Sequence, residues 1–519
     1  MRSLLTRTGI DKPYSLLVWI VSIILLSAPA WADQAQSKAA SSQSKITFDR
    51  YYVLELDGQH CGYARMAICE SADQITSLSY LRITIRQFGR DMLIVSKSIS
   101  RETPAGELLS MDQTIFTNGA EVTKKAVVQG KELVVTTTIF GRQVTERFAV
   151  PPDGFITEAG LARLVKSLLD NPGRSLQVIL FSLEAAGNPF LPCSVQIVGP
   201  ETIQAYGQAT SATKVEGTLT VDGLAVPGVF WYDQKGELAA DISISGLVVR
   251  TYAAGKDQAK KTIGPVDLTS LSLIVPKVPL KDPAKTAKAV YRLKLKKNAD
   301  QAMIDLPQTD MQRVLLKGRD YIDLEVTRQD PKKFAAVLSQ KVPQRLQQYL
   351  QSSLYLDWQS PSVKAAAQQV QYASNKPWDI ALGLWKYVDE TIFIKSLDVY
   401  FDPASKVLAS HQGDCTEHAV LLAALARARG LPSRLVVGLA QVPGEAGHEA
   451  VFGYHAWTEV WIDGTWASLD AALEQTPVDV GHITLAVSDA NSPEPLESLN
   501  VGLMLQVIGN LQIELLRQE

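Results

Sequence analysis

The stretch GDCTEHAVLLAALARARGLP, residues 413–432, decides how the second half of this chain folds. Asp414 is a good N-cap residue, and Glu417 three positions later can complete a capping box. The apolar residues that follow have helical spacing, and Gly430 supplies a stop signal. The sequence therefore predicts one long helix with Cys415 in its first turn.

The position of Cys415 at a helix N-terminus has a chemical consequence. First-turn N–H groups have no partner within the helix, and the aligned peptide dipoles leave partial positive charge at that end. Both effects favour a thiolate, which is the reactive form of cysteine. We therefore expect a lowered pKa for the Cys415 thiol. Its backbone N–H can also stabilise the oxygen of a tetrahedral intermediate.

A nucleophile of this kind needs a base, and the base needs a group that orients it. Residues 454–462 and 465–471 read as two strands joined by Asp463-Gly464, which is a strong signal for a two-residue hairpin turn. In that register His455 and Asp470 are diagonal neighbours on one face, close enough for an imidazole to meet a carboxylate. A three-residue turn would place them on opposite faces.

Three ordered motifs now carry a resemblance to a known family. They are Gly413-Asp414-Cys415, the strand Tyr454-His455-Ala456-Trp457-Thr458-Glu459-Val460, and Leu469-Asp470. Over roughly 120 residues the chain resembles the transglutaminase-like superfamily. The resemblance implies an α+β fold with a papain-like core, made of N-terminal helices, a Cys-headed helix and an antiparallel sheet. It also implies Cys415 as nucleophile, His455 as general base and Asp470 as the residue that orients the base. We expect no cofactor and no metal.

The chain before this domain reads mainly as strands. Leu81, Ile83 and Ile85 alternate with polar residues, which predicts a strand with one wet face. Turn dipeptides recur at Asp57-Gly58, Asn118-Gly119 and Asp222-Gly223. One apolar stripe, around residues 158–169, predicts a helix within this region. We therefore expect a large antiparallel β-rich domain.

Composition shifts divide the chain into segments. A run rich in Lys, Pro and Asp marks a linker after the β-rich region. The predicted order is a signal peptide at 1–32, a flexible linker at 33–45, the β-rich domain at 46–256, a linker at 257–285, a short β-rich segment at 286–340, and the catalytic domain at 341–519 with its core at 360–480.

The first 32 residues have the pattern of a secretory signal peptide. Arg2, Arg7 and Lys12 precede an apolar run of about 11 residues, which is short for a membrane-spanning helix, and then a small-x-small cleavage motif ending at Ala32. We expect an exported protein, periplasmic or extracellular, with no stable membrane insertion after cleavage. Cleavage removes three cations and one anion and so changes the net charge from −3 to −5. That charge gives no sign of nucleic-acid binding.

Four cysteines in 519 residues do not form a disulfide framework. At most one bridge among Cys61, Cys69 and Cys193 is expected, which leaves Cys415 as the odd thiol. In isolation, Cys415 would more often be a buried structural thiol, since free cysteine behaves as a small hydrophobe.

A zinc site is the other alternative near Cys415. It would use His411, Cys415 and His418, with His448 or His455 as a further ligand. The capping signal and the aspartate partner favour thiol chemistry instead. On that interpretation His418 is a packing or supporting residue. The remaining histidines, His411, His448 and His482, are expected at the surface or in loops.

The tryptophans of the hairpin have two readings as well. Trp457, Trp461 and Trp466 share the predicted face of His455, where core packing is favoured over a stacking platform for substrate.

The sequence thus predicts an exported thiol enzyme that acts on carboxamides of a protein or peptide substrate, by hydrolysis or by transfer of the acyl group to an amine. The competing hypothesis is a non-catalytic envelope protein for binding or assembly, in which the β-rich domain does the work. The source of the second oxyanion donor and the oligomeric state are left open.

Overall fold

The structure is a computed structural model. It describes residues 44–519, except for 88–89, 118–119, 186, 245–246, 262, 269–272, 297–302, 304, 338–340, 396–400, 445–447, 492–502 and 504–505. The predicted signal peptide and all but the last two residues of the predicted linker at 33–45 lie outside the described residues. So does the Asn118-Gly119 turn. Lys45, at the end of that linker, is the first residue of a strand.

The described residues form two compact units, one ending at residue 268 and the other beginning at residue 273. Helices in the described part of the chain are all too short or too polar to span a bilayer.

The first unit is built on one large sheet. Among the described residues it joins sixteen strands in the order β8-β7-β6-β5-β4-β3-β2-β1-β15-β14-β13-β12-β11-β10-β9, with β16 beside β3. Pairing is antiparallel except for β9 with β10 and β16 with β3. The strands β1 to β16 are Lys45–Leu56, Gln59–Glu70, Ile75–Gln87, Arg90–Glu102, Leu108–Thr117, Ala120–Gln129, Glu132–Ile139, Arg142–Ala149, Ile156–Thr157, Ser175–Phe181, Phe190–Ala205, Gln208–Val221, Leu224–Asp233, Gly236–Ile244, Leu247–Ala254 and Val266–Asp267.

The local signals read from the sequence explain this sheet. Asp57-Gly58 and Asp222-Gly223 each close a two-residue hairpin, with positive φ at both residues as such turns require. In β3, Leu81, Ile83 and Ile85 are buried while the residues between them are partly exposed, which confirms the predicted alternation. The predicted helix is α1, Glu158–Ser167, capped by Thr157.

The stretch predicted as a linker, 257–285, carries short elements. Helix α2, Lys256–Ala259, extends into it, and β16 pairs in parallel with the end of β3. Strand β17, Leu273–Ile274, pairs with a strand of the second unit. Three parts of this stretch therefore have backbone hydrogen bonds of regular structure.

The second unit packs helices against antiparallel sheets. Its helices α3 to α7 are Pro331–Ala335, Pro361–Gln369, Pro377–Thr391, Ala404–Ser410 and Cys415–Ala428, and a 3₁₀ helix spans Gln344–Leu350. Its strands β17 to β27 are Leu273–Ile274, Lys288–Leu295, Gln312–Lys317, Tyr321–Thr327, Ile394–Lys395, Gln412–Gly413, Ser433–Pro443, Ala450–Ile462, Thr465–Leu469, His482–Ser488 and Leu511–Gln518.

Nine of these eleven strands form two antiparallel sheets, and β21 pairs in parallel with β22. The first has the order β17-β24-β23-β26, with β25 also paired to β24. The second has the order β19-β20-β18-β27, so the segment predicted at 286–340 pairs with the C-terminal strand and belongs to this unit. Helix α7 is the central helix: it contacts β23 and β24 on one side and α4, α5 and α6 on others. Nearly all of its residues are buried, as its continuous apolar sequence predicts.

Candidate active site

Cys415 is the first residue of helix α7, as the sequence predicts. The Asp414 carboxylate accepts the N–H of Thr416 at 2.8 Å, and the Glu417 carboxylate accepts the N–H of Asp414 at 3.0 Å. This is the predicted capping box, and it fixes the first turn that carries the thiol.

Gly413 is required by the same turn. A Cβ at this position would lie 2.3 Å from the Cβ of Glu417, a contact that real side chains do not make. The absence of a side chain at 413 therefore lets Glu417 fold back over the start of the helix, where its other carboxylate oxygen accepts the N–H of Asp402 at 3.2 Å. In the motif Gly413-Asp414-Cys415, the glycine is therefore required for steric reasons, whereas Cys415 is there for its chemistry.

His455 and Asp470 meet through the hairpin of β24 and β25. Ile462 pairs with Thr465 and Thr458 with Leu469, which confirms the two-residue turn at Asp463-Gly464 and the predicted register. The ring Nε2 of His455 lies 2.6 Å from Oδ2 of Asp470, and both side chains are buried. The two residues thus form a direct hydrogen bond across the hairpin.

Asp470 is held firmly from its other side. Its Oδ1 accepts the backbone N–H groups of Ala472 and Leu473, at 2.9 and 3.0 Å, and its own carbonyl accepts the indole N–H of Trp385 at 2.8 Å. Burial would raise the pKa of Asp470, but the charge of His455 and the hydrogen bonds to His455 hold that pKa well below its usual range. The carboxylate is therefore ionised and cannot rotate freely.

The thiol of Cys415 lies against the strand that carries His455. Strand β24 pairs with β17 at residues 452–453 and with β25 from residue 458, so on that side residues 454–457 pair with no strand among the described residues. The N–H of Ala456, within this interval, hydrogen-bonds to the thiol and favours its ionised form. One turn along the helix, the Thr458 hydroxyl donates to the carbonyl of Ala419 at 2.9 Å and ties α7 to β24.

His455 reaches Asp470 with one nitrogen and leaves the other free. Its Nδ1 is buried and has no hydrogen-bond partner among the described residues. Because Nε2 donates to the ionised Asp470, Nδ1 carries the lone pair whenever the His455 ring is uncharged. Asp470 therefore sets the tautomer in which Nδ1 can accept a proton.

The expected lowering of the Cys415 pKa is wrong for this resting state. The side chain is only 2% exposed, and this burial raises the pKa of the thiol well above its ordinary value. The negative charge of Asp414 raises it further, and Asp470 and Glu417 act in the same direction, against the N–H of Ala456. Burial, supported by the carboxylates that cap the helix and orient the histidine, thus favours the neutral thiol at rest.

His418 lies one turn into α7, and both of its ring nitrogens are engaged. Nδ1 hydrogen-bonds to the carbonyl of Asp414, and Nε2 accepts from the ammonium of Lys395 at 2.7 Å. Burial, and then the Lys395 charge, lower the pKa of His418 to about 3. Of the two histidines near the thiol, His455 is therefore the one with a ring nitrogen available as a base.

His482 is the residue that the sequence analysis missed. The expectation of a surface or loop position is wrong: it begins strand β26, is 3% exposed, and places Nε2 3.1 Å from Oδ2 of Asp470. Its Nδ1 lies 3.3 Å from Oδ1 of Asp479. Burial alone would lower its pKa, but the hydrogen bonds to Asp470 and Asp479 raise the pKa of His482 to about 9.

His411 and His448 differ from His482. The Nδ1 of His411 hydrogen-bonds to the carbonyl of Thr391, and its ring stacks on exposed Phe393, outside the cluster around Asp470. His448 is exposed, as expected for a loop residue.

A glycine makes room for the cluster. Gly438 of β23 lies directly opposite His455, between β24 and β26. A Cβ there would lie 2.0 Å from the carbonyl oxygen of Ile483 and 2.7 Å from the ring of Trp457. The indole of Trp457 occupies this space, stacked on the His455 ring at 6.4 Å and edge-on to the His482 ring at 5.2 Å.

The other two tryptophans of the hairpin have a packing role. Trp461 and Trp466 contact each other and form a buried cluster with Leu346. This agrees with the interpretation that favoured core packing.

The ligand set of the zinc alternative does not assemble. Within the part of the chain that the structure describes, the one group of His, Cys, Asp and Glu close enough to share a metal ion is His455, Asp470 and His482, whose candidate atoms lie within 4.8 Å of one another. It contains neither Cys415 nor His418. The hydrogen bonds from both rings to Asp470 already account for this grouping.

The four cysteines are all free, so none of them forms the single bridge that the sequence would allow. Burial raises the pKa of Cys61 to about 12 and that of Cys193 to about 11.

Comparison with known proteins identifies the domain that holds this site. Residues 364–471, about a fifth of the chain, match the family model described as the transglutaminase-like superfamily, which confirms the resemblance. No curated protein matches the chain.

Solved structures give weaker likenesses. A candidate cysteine protease from Cytophaga hutchinsonii is 16% identical, covers 41% of this chain and 85% of its own, and has a TM-score of 0.31. A β-barrel-like protein from Brucella abortus is 12% identical over 40% of this chain and 94% of its own, with a TM-score of 0.32. The periplasmic domain of TgpA from Pseudomonas aeruginosa, bound to ethylmercury, is 13% identical over 38% and 94%, with a TM-score of 0.22.

Proposed function

We propose that this protein, whose residues 364–471 belong to the transglutaminase-like superfamily, is an exported thiol enzyme that forms an acyl-enzyme at Cys415. The observation that carries the proposal is the His455–Asp470 hydrogen bond of 2.6 Å, which leaves Nδ1 of His455 free on the strand against which the Cys415 thiol packs. The domain keeps a papain-like arrangement in this proposal, with a Cys-headed helix packed on an antiparallel sheet.

The chemistry begins with attack of the Cys415 sulfur on a carboxamide carbon while His455 Nδ1 takes the thiol proton. Because the resting thiol is neutral, this proton moves during the attack. The carbonyl oxygen becomes an oxyanion, for which the N–H of Cys415 at the helix terminus is one donor. His455 then returns the proton to the departing amine, the C–N bond breaks, and a thioester remains.

The second half of the reaction releases the acyl group. His455 removes a proton from the incoming nucleophile, which attacks the thioester carbon, and the C–S bond breaks as the thiol regains its proton. Water gives hydrolysis of a peptide or isopeptide bond, and an amine gives transfer of the acyl group. We favour hydrolysis because it needs only water as the second substrate. The substrate in either case is a protein or peptide.

Asp470 has the same role in both halves of the reaction. Its negative charge stabilises the imidazolium that forms on His455, and its hydrogen bond fixes the ring orientation. The backbone N–H groups of Ala472 and Leu473 hold the carboxylate for this purpose.

The test compares wild-type protein with Cys415→Ala, using a small thiol-directed amide probe and a pool of envelope peptides. We expect wild-type protein to label at Cys415 and to shorten or join peptides, and the variant to do neither. Cys193→Ala is the matched control, because it removes another buried free thiol and should leave both readouts unchanged. Absence of labelling at Cys415, together with equal peptide patterns from wild type and Cys415→Ala, would refute the proposal.

An alternative function, binding or assembly through the first unit, is favoured by one observation. Helix α1 and the sheet enclose a mostly apolar cavity of about 60 Å³, lined by Leu161, Ala162, Val165 and Phe230 among others. Glu158 lines it as well, and its Oε1 is buried without a hydrogen-bond partner among the described residues. Burial raises the pKa of Glu158 well above its ordinary value, so it faces the cavity as a neutral acid.

The two functions make opposite predictions. If binding alone is the function, cells carrying Cys415→Ala are indistinguishable from wild type, whereas Ala162→Phe, which fills the cavity, causes the defect. If catalysis is the function, Cys415→Ala causes the defect.

A further inference from the structure

We propose that His482 is a positioning residue of this site: held as an imidazolium between Asp470 and Asp479, it fixes the Asp470 carboxylate and sets the pH range over which Cys415 reacts. The inference rests on the proposed function, because it assigns a role to a residue that acts through Asp470 and His455.

The protonation state follows from the partners of the ring. Nε2 lies 3.1 Å from Asp470 and Nδ1 lies 3.3 Å from Asp479. Ionised carboxylates only accept hydrogen bonds, so each ring nitrogen must carry a proton. A neutral ring has one N–H and would leave one carboxylate facing a lone pair. The raised pKa of His482, about 9, agrees with a ring that is charged at neutral pH.

The second carboxylate is anchored independently of the first. Oδ1 of Asp479 accepts the N–H of Gly481 at 2.8 Å, and Oδ2 accepts the side-chain amide of Gln475 at 3.0 Å. The hydrogen bonds to His482 and Gly481 hold the pKa of Asp479 below its usual range despite its burial. His482 is therefore fixed between two charged groups that are each held by other atoms.

The cation changes what Asp470 does for His455. Oδ2 of Asp470 is shared by both rings, at 2.6 Å from His455 and 3.1 Å from His482, so part of its negative charge is balanced before any reaction begins. Without that balance, Asp470 would oppose ionisation of Cys415 more strongly. His482 thus lowers the pH at which the Cys415 thiol ionises.

Several groups face His482 from the elements around it. Asp470 and Asp479 are its ionised partners, the His455 ring lies 5.9 Å away, and the neutral indole of Trp457 lies 5.2 Å away. Tyr291 of β18 approaches from the second sheet, where its hydroxyl donates to the carbonyl of Val480 at 2.9 Å; burial raises its pKa, so it stays neutral. His482 is thus the cation hydrogen-bonded to Asp470, and the ammonium of Lys395 acts on the same carboxylate through its charge alone.

The size of the effect follows from the ring separation. The rings of His455 and His482 are 5.9 Å apart, and a unit charge at a separation of this order, with an effective dielectric constant of about 20, changes the ionisation of a neighbouring group by the equivalent of about two pH units. Sharing of the charge with Asp479 reduces this figure, so we expect a shift of roughly one to two units when the cation is removed.

The test is the rate of alkylation of Cys415 by iodoacetamide in the full chain between pH 5 and 10, followed at peptide level by mass spectrometry. We expect His482→Gln, which keeps a hydrogen-bond donor without charge, to move the midpoint upward by roughly one to two units. His482→Lys restores a cation and should move it back toward wild type. The control is His60→Gln in the first unit, which should superimpose on wild type. Thermal melting checks that each variant is folded.

A folded His482→Gln variant with a wild-type pH profile would overturn the inference. A second measurement needs no variant: with ¹⁵N-labelled histidine, both ring nitrogens of His482 should carry protons at pH 7, and a neutral ring there would overturn the inference equally. Failure of the proposed function looks different. In that case Cys415 reacts no faster than Cys193 at any pH, and peptide turnover survives Cys415→Ala.

Discussion

Raising the pH should weaken the second unit through His482. The pKa of this residue is about 9 in the folded protein and 6.5 ordinarily, so the folded state binds its proton more tightly. Such a group contributes stability that is complete below pH 6.5 and is lost as the pH rises through 9. A shift of 2.5 units at 1.36 kcal/mol per unit makes this contribution roughly 3 kcal/mol, and the side chain is buried, so solvent does not screen it.

The other shifted groups of the site define the window for the measurement. The pKa values of Asp470 and Asp479 are lowered, so their contribution is constant above pH 6 and is lost only in acid. The pKa of Cys415 is raised, so its unfolded thiol ionises first and destabilises the fold only from its ordinary value of 9 upward. The pKa of His418 is lowered to about 3, so stability rises by roughly 1 kcal/mol between pH 6 and 7.5 as the unfolded His418 ring loses its proton. Between pH 7.5 and 9, His482 is therefore the main source of pH dependence within this cluster.

The assay is urea unfolding at pH 6, 7.5 and 9, followed by tryptophan fluorescence. Six of the nine tryptophans lie in the second unit, so the signal reports mainly on that unit. We expect the free energy of unfolding to fall by roughly 2 kcal/mol from pH 6 to pH 9 in wild-type protein, because the loss at His482 exceeds the gain at His418, and not to fall by more than a fraction of this in His482→Gln. A flat wild-type profile, or an equal slope in the variant, would refute the reasoning.

Two further substitutions test the packing of the site. Gly438→Ala places a methyl group 2.7 Å from Trp457, so it should cost about 1–3 kcal/mol of stability and slow the alkylation of Cys415. Gly264→Ala is the control, because there is open space around its Cβ. In parallel melting and alkylation experiments it should change neither quantity. Arg427→Met removes a buried guanidinium that donates to the carbonyls of Ser433 and Asp489, and urea unfolding should show a loss of about 3 kcal/mol in the free energy of unfolding. Arg517 is exposed, so Arg517→Met should show almost no loss. Equal losses in the two variants would contradict this prediction.

Local signals were enough to predict the parts of the site that are close in sequence. The start of α7 follows from Asp414 and Glu417, whose side chains cap the very next turn. The pairing of His455 with Asp470 follows from Asp463-Gly464, because a two-residue turn fixes which residues face each other along the whole hairpin. Both predictions depended on hydrogen bonds that span few residues.

The features that the sequence did not reveal depend on contacts across the sheet. His482 reaches Asp470 only because β26 lies beside β23 and because Gly438 leaves space opposite His455, and neither fact has a local signal. Just before His482, Val478 and Val480 flank the polar Asp479. This alternation is typical of a strand with one buried face, but it does not identify the strand that pairs with it. The prediction of a lowered pKa for Cys415 was wrong for a related reason, since this pKa depends on burial and on the summed charge of three carboxylates.

Because the Cys415 side chain is almost completely enclosed, the rate at which it reacts with a reagent reports how often the surrounding structure opens. With 2% of its surface accessible, the sulfur meets a reagent only during brief excursions of the surrounding structure. Small and bulky alkylating agents should then differ in rate far more than they do toward free cysteine, since larger excursions are rarer. A natural peptide substrate reaches the sulfur in the same open conformations, either by binding when they occur or by stabilising them, before any bond can break.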